Sequence, residues 1–299
     1  MPGTLSWEAS RRRAYLTGLV PALVVLAVIT VVPTLFLAGA SLTPLSLVDP
    51  ASLFDFSNPL RNYAELLHDP RFLGSLVMQL QLSALTVTLQ LAVGLGLALL
   101  LNVRSSFFEA IRTVFLIPMV LPPIVVALIW KIIYTPDVSP LHRFLDFVGL
   151  PADSFITSAS TALLAVAVAD TWQWFPFTML MILATLQMIP NEPLEAAKID
   201  GANHWQTFRY IIFAYIRPAL IVSGLFRLID SFKAFPLIYV LTDGGPGSAT
   251  EVTNYYAFVQ AFNFSYWGYA SAIAIVLLTG VFTLSWAAGR LGWNGDEGE

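Results

Sequence analysis

Apolar residues run along the 299-residue chain in long blocks, and polar residues collect between them. Six blocks reach the roughly 20 residues that a hydrocarbon core demands of a crossing helix. They cover 14–40, 72–101, 113–134, 161–188, 218–241 and 266–291. The pattern predicts an all-α polytopic membrane protein with six transmembrane helices. Arg11, Arg12 and Arg13 precede the first block, and Ala38, Gly39 and Ala40 lie near its end, as in a secretory signal. Its apolar run, however, far exceeds the roughly 7–15 residues of a signal core, so it reads as a retained helix. Residues 1–13 read as an N-terminal tail, 14–291 as the membrane domain, and 292–299 as an acidic tail ending in Asp296, Glu297 and Glu299.

The polar island at 189–217 breaks this monotony. Asn191 is a predicted N-cap, Glu192 and Glu195 suit the positive end of a helix dipole, and Pro193 fits a first turn. The helix is expected over 194–200, with Gly201 at a left-handed C-terminal position. A second short helix is expected over 203–210, before Pro218 opens the next span. Ala196, Ala197 and Ala202 keep the surface low enough for another backbone to approach closely.

Composition narrows the class. The chain is 57% hydrophobic and 11% charged, against about 25% charged for a soluble domain. With no cysteine, disulfides, thiolate metal sites and thiol catalysis are excluded. Apart from Arg11–Arg13 there is no basic stripe for nucleic acid. Positive charge is asymmetric across the predicted spans. Arg11, Arg12, Arg13, Arg104, Arg112, Lys198, Arg209, Arg217 and Arg290 fall on one side, and only Arg61, Arg71, Lys131 and Arg143 on the other. By the positive-inside rule both termini, and the 189–217 loop, are cytoplasmic. The outer segments 41–71, 136–160 and 242–265 are long enough for partial structure that a partner could sit upon. Asn263, Phe264 and Ser265 match a glycosylation triplet, a pattern too short to weigh.

Ionisable groups inside a span are costly, by roughly 2.5–3.5 kcal/mol each. Arg227, Asp230 and Lys233 all fall in the predicted fifth span, at three-residue spacing that pairs them along one helix face. Counted from Pro218, Arg227 is roughly 13 Å deep and Asp230 roughly 18 Å. Such a cluster either locks helices together or lines a solute path, and spacing does not choose between them. The fourth span places Asp170, Trp172, Gln173 and Trp174 near its midplane, away from the interfacial level where Trp is usual. Trp beside Gln suits the C–H face and the hydroxyls of a sugar, though packing competes. Pro176 frees a backbone carbonyl there, which is tolerated where a cavity is lined. Gly94 and Gly96 read as close-packing residues. His68, His142 and His204 have no metal-like spacing and receive no role.

Several segments are similar to one family. Glu195, Ala196, Ala197, Asp200, Gly201, Ala202, Phe208, Ile212 and Pro218 resemble the cytoplasmic loop of permease subunits of binding-protein-dependent ABC importers. Leu60, Asn62 and Tyr63 with Asp69–Phe72, then Ile117–Pro123 with Trp130, then Asp170–Phe177, resemble successive segments of the same subunits. Leu237–Pro246 resembles the end of their fifth span and narrows the likeness to the carbohydrate branch, maltose-permease-like member. Two departures stand out. Phe213-Ala214 replaces the usual Leu-Pro, implying a straighter exit from the loop. Pro236 replaces a position often acidic.

The resemblance implies that Glu195, Ala196, Ala197, Asp200, Gly201, Ala202 and Phe208 belong to a coupling helix seated in an ATPase subunit. It implies a second permease, two ATP-binding subunits and an external sugar-binding protein in a prokaryotic plasma membrane. ATP and magnesium would act on the ATPase partner and none would be held by this chain, which has no Gly-x-x-x-x-Gly-Lys-Ser/Thr. An ion-coupled secondary transporter or a membrane-embedded enzyme is the competing class. The first would often show related halves, and none are detectable.

Overall fold

The computed structural model describes residues 4–103, 105–149 and 154–293, and every regular element among them is helical. Arg104 and the acidic residues Asp296–Glu299 lie outside the described residues. Five helices are long and apolar enough to cross a membrane: Thr17–Ser41, Pro70–Leu100, Ala162–Gln187, His204–Ser231 and Trp267–Ala287. A bent pair, Ser106–Val120 and Pro123–Tyr134, meets at 100° and, taken as one span, brings the crossings to six. In chain order these are spans 1 to 6, with the bent pair as span 3. The first helix in fact begins at Thr4, inside the segment read as a tail.

The chain divides into two units: Met1–His68 with Ala257–Val276, and Asp69–Tyr256 with Leu277–Glu299. In the first unit, the open end of span 1 is tied by side chains. Buried Asn62 donates from Nδ2 to the carbonyls of Ser41 and Thr43 at 2.8 and 2.9 Å, satisfying acceptors that a helix end leaves free. The Tyr63 hydroxyl shares a 2.8 Å bond with Ser41 Oγ, and Gly268 N donates to Leu45 O at 2.8 Å. A Cβ on Gly268 would lie 2.1 Å from Thr43 O, so only glycine allows this approach.

The second unit is built on spans 2, 4 and 5. Span 2 buries Ser75, Gln79, Ser83, Thr86, Gln90, Gly94 and Ala98 on one stripe of three- and four-residue steps. Gly94 is where span 4 comes closest: an added Cβ would meet Thr178 Cβ and Cγ2 at 2.7 Å and Met179 N at 3.0 Å. Gly96 faces open space. Gly94→Val should therefore destabilise the unit by about 1–3 kcal/mol through overpacking, while Gly96→Val should not. Thermal unfolding in detergent of the two variants measures the difference. Below Gly94, Ala98, Leu101, Phe175, Met179, Ile182, Leu183, Leu186 and Ile216 form an apolar core. Arg112 closes the end of span 2 by donating to Leu101 O (Nε, 3.1 Å) and Val103 O (Nη2, 2.9 Å).

Proline placement corrects two predicted spans. Span 3 is broken at Leu121, because Pro122 and Pro123 both lack an N–H and their rings clash with carbonyls four residues back. Span 5 starts at His204 and ends at Ser231, where a single helix over 218–241 was expected. Pro218 lies inside it, and Phe235–Leu241 is a separate helix with Pro236 in its first turn. A continuous helix would drive the Pro236 ring into the Phe232 carbonyl. The chain breaks instead, and that carbonyl accepts from Asn254 Nδ2 at 2.8 Å. Lys233 consequently sits in the break and not within a span.

Candidate functional site

The loop between spans 4 and 5 folds as the helix Asn191–Ile199. Pro190 occupies the N-cap position and Asn191 is already helical, with no side-chain cap, which corrects the predicted Asn191 cap. Pro190 cannot continue a helix backwards, so the boundary falls one residue early. The other end closes as expected for Gly201, whose φ is +73°. Gly201 N donates to Lys198 O at 3.2 Å and Ala202 N to Ala197 O at 2.9 Å, the paired bonds of a Schellman turn. Asn203 then caps a new helix in a reciprocal pair, Gln206 N to Asn203 Oδ1 at 2.9 Å and Asn203 N to Gln206 Oε1 at 2.8 Å. That helix is not the short, separate one expected over 203–210. It runs through a π-helical turn at Phe208–Ile212 into Phe213–Ser231, so the loop ends directly on span 5. Alanine at 214, in place of proline, leaves the N–H that this continuity uses.

Exposure separates the loop residues by task. Glu195, Ala196, Asp200 and Gly201 are exposed, whereas Ala197 is buried and Phe208 packs against the apolar core below. Phe208 also packs between Trp205, tilted at 5.7 Å between ring centroids, and Phe213, edge-to-face at 6.3 Å. Ile199, Trp205 and Tyr210 are 86, 69 and 75% exposed, large apolar groups beside a polar helix. Ala197 and Phe208 thus hold the loop to the membrane domain, and the others present a surface.

The membrane-embedded polar residues meet in one seam. Gln90 Nε2 donates to Asp170 Oδ2 at 2.7 Å, and Arg227 Nε donates to Gln90 Oε1 at 2.7 Å. Arg227 Nη1 reaches Asp230 Oδ2 at 2.8 Å, and Lys233 Nζ lies 3.4 Å from Asp230 Oδ1. The Arg227 guanidinium sits over the Trp174 ring, 4.5 Å from its centroid. Arg227 is 3% exposed and Lys233 mostly exposed, so depth differs sharply along the seam. Two predicted residues face elsewhere. Gln173 Nε2 donates to Leu121 O at 3.2 Å, satisfying the carbonyl freed by the break in span 3, and Trp172 packs edge-on against Trp130. Sequence reasoning missed Gln90, although its place on the 79–83–86–90 polar stripe of an apolar span was the available signal.

Beyond span 5, the segment after Phe235–Leu241 is a built loop. Asp243 and Gly244 have φ of 51° and 78°, and a Cβ on Gly244 would lie 2.6 Å from the Tyr255 ring. The Tyr255 hydroxyl donates to Asp243 Oδ1 at 2.7 Å, and burial beside that carboxylate pushes its pKa up. Arg71 grips buried Glu251 with two bonds, Nε–Oε2 at 2.9 Å and Nη2–Oε1 at 2.8 Å, while Tyr256 donates to Asp69 Oδ2 at 2.6 Å. Gly244→Ala combines a left-handed backbone, about 1–2 kcal/mol of strain, with displacement of Tyr255. It should speed hydrogen exchange across 242–256 and leave exchange in span 4 unaltered.

Comparison with known proteins agrees with this architecture. Residues 90–292 match the binding-protein-dependent transport system inner membrane component family. A probable ABC transporter permease of Sinorhizobium fredii is 33% identical over 92% of this chain and 90% of its own length. The trehalose/maltose transport system permease of Thermococcus litoralis is 35% identical over 76% of each chain. The trehalose transport system permease of Mycobacterium tuberculosis is 30% identical over 92% of this chain and 86% of its own length. A bacterial ABC transporter that imports the acidic polysaccharide alginate has a chain of the same fold, with a TM-score of 0.83 at 20% identity over 97% of this chain and 99% of that one. The chain accordingly belongs to the inner membrane components of binding-protein-dependent transport systems, as a multi-pass permease subunit.

Proposed function

We propose that this chain is one of two different permeases in an ATP-driven importer of a sugar or related polyhydroxy solute. Two separate ATPase subunits bind ATP and magnesium, and an external binding protein delivers the solute. The observation that carries this reading is the exposed helix Asn191–Ile199, closed by Gly201 and flanked by exposed Ile199, Trp205 and Tyr210, joined without a break to span 5. An ion-coupled transporter or a membrane enzyme has no use for such a docking surface. The sugar assignment is supported by relatives named for trehalose and maltose, and by the seam, where Arg227 lies over the Trp174 ring and binds both the Gln90 amide and the Asp230 carboxylate.

In this reading the loop and both termini face the cytoplasm of a prokaryote, as the distribution of Lys and Arg favours. The outer loop over 242–256 lies on the opposite side, where the binding protein docks. ATP binding draws the two ATPase subunits together. Each carries a permease loop with it, and span 5 transmits the movement to the seam because the helix is continuous from His204 to Ser231. Trp174, Asp230 and Lys233 are the wall against which the solute is received, and the buried Asp170 and Arg227 stand behind it. Hydrolysis then returns the inward-open state, so the preference of ATP for the closed dimer sets the direction.

The test is reconstitution. A tagged chain should bring down an ATPase subunit and a second permease. The complex in liposomes should accumulate labelled trehalose or maltose only with both ATP and the binding protein present. Uptake that follows an ion gradient without ATP would refute the proposal.

A further inference from the structure

Gln90 is fully buried on span 2, and both ends of its carboxamide are used. An amide donates and accepts at once, so it can join a carboxylate to a guanidinium carried on different helices. Arg227 is thereby held from three sides: Nε at Gln90, Nη1 at Asp230, and its plane over the Trp174 ring. Its burial makes it a poor direct reader of solute. Trp174, Asp230 and Lys233 are the partly or largely exposed members of the seam.

We propose that Gln90 is a positioning residue for solute recognition. By holding Arg227 against one face of the Trp174 indole and against Asp230, it presents an aromatic ring and a carboxylate at a set spacing to a polyhydroxylated solute. The ring meets C–H groups, and the carboxylate accepts from hydroxyls. Removing the amide frees Arg227 Nε and leaves Asp170 without its donor, so the guanidinium swings toward the carboxylates and the indole loses its support. The inference rests on the importer reading above.

The experiment uses the assembled complex with its binding protein, arrested with ATP and vanadate. Retained radiolabelled trehalose or maltose, whichever the wild type takes up faster, is measured beside trapped nucleotide. Gln90→Met, similar in length but without hydrogen bonds, should lower retained sugar about tenfold while nucleotide trapping is kept. Trp174→Ala should do the same. The double variant should fall no further than the lower single, because both act through one arrangement. Wild-type retention in Gln90→Met, additive losses, or sugar and nucleotide lost in proportion would each overturn the proposal, the last marking Gln90 as a brace alone. Should Gln90→Met not assemble, Arg227→Lys carries the test, since a point charge cannot reproduce the fork that meets Gln90 and Asp230 together. The same tenfold loss is expected there, and full retention would overturn the proposal. A wild-type complex that accumulates neither sugar refutes the importer reading itself and takes this inference with it.

Discussion

Glu195→Arg is expected to reduce uptake by at least about a hundredfold while the chain inserts and folds normally. The reason is where Glu195 stands. It is exposed on Asn191–Ile199, and its side chain has no hydrogen bond or ion pair among the described residues, so nothing inside the chain depends on its charge. The helix begins at Asn191, so Glu195 stands beyond its first turn, where the dipole acts, and reversal costs the helix little. Against a docked partner that matches a carboxylate, the same change sets like charge against like, which costs about 2–5 kcal/mol when the contact is desolvated. The readout is paired: co-purification of the ATPase subunit and uptake should fall together, with protein yield unaltered. Full co-purification with full uptake would show that this face does not dock. Gly201→Val should act by a different route, because a β-branched residue at φ +73° cannot close the Schellman turn and the helix loses its end. Asp at the same position is the milder change, since it is among the residues that best tolerate this conformation.

Arg227→Ala should be the most destabilising substitution in the membrane interior, at about 3–5 kcal/mol. The guanidinium bridges span 2 through Gln90 and completes Asp230 on its own span. It also packs against Trp174 on span 4. Truncation strands the buried Asp170 carboxylate with the Gln90 amide alone and leaves Asp230 to the more distant Lys233, and a buried charge that loses its opposite charge is costlier than the pair is favourable. Unfolding in mild detergent should shift to markedly lower temperature. Adding Asp170→Asn should recover part of the loss, because it deletes the stranded charge. An Arg227→Ala chain as stable as wild type would mean that water, and not Arg227, balances the seam. Replacing Lys233, which is exposed in the break after span 5, should cost little stability by comparison.

How much of this was legible in the sequence follows from the range of each interaction. Gly201 was readable because a left-handed helix end is a local requirement. The number of crossings was readable because crossing a membrane sets a minimum apolar length. The Asn191 cap failed on local grounds too, since Pro190 took that place. Span 5 failed because a proline can sit within a helix, as Pro218 does, or begin a new one, as Pro236 does, and only the neighbours decide. For Pro236, the Asn254 amide waiting for the Phe232 carbonyl makes the break cheap. That amide is eighteen residues further along, beyond the reach of any periodicity.

The seam shows the same division most clearly. Asp170, Arg227 and Asp230 announce themselves in sequence, because an ionisable group in an apolar block has a cost that demands a partner. Which partner is a question of helix packing. Gln90 lies 80 residues before Asp170 and 137 before Arg227, and it became their link only when Gly94 let spans 2 and 4 close together. By itself the sequence determined a helical membrane protein, the polar loop between its fourth and fifth spans, and the glycine that ends that loop's first helix, since these follow from hydrophobic length and backbone stereochemistry. Tertiary structure alone decided where spans 3 and 5 break, which loop residues anchor and which are offered, and how Arg227 is held beneath Trp174. Those depend on contacts between distant segments, whose free energy exists only once the helices have packed.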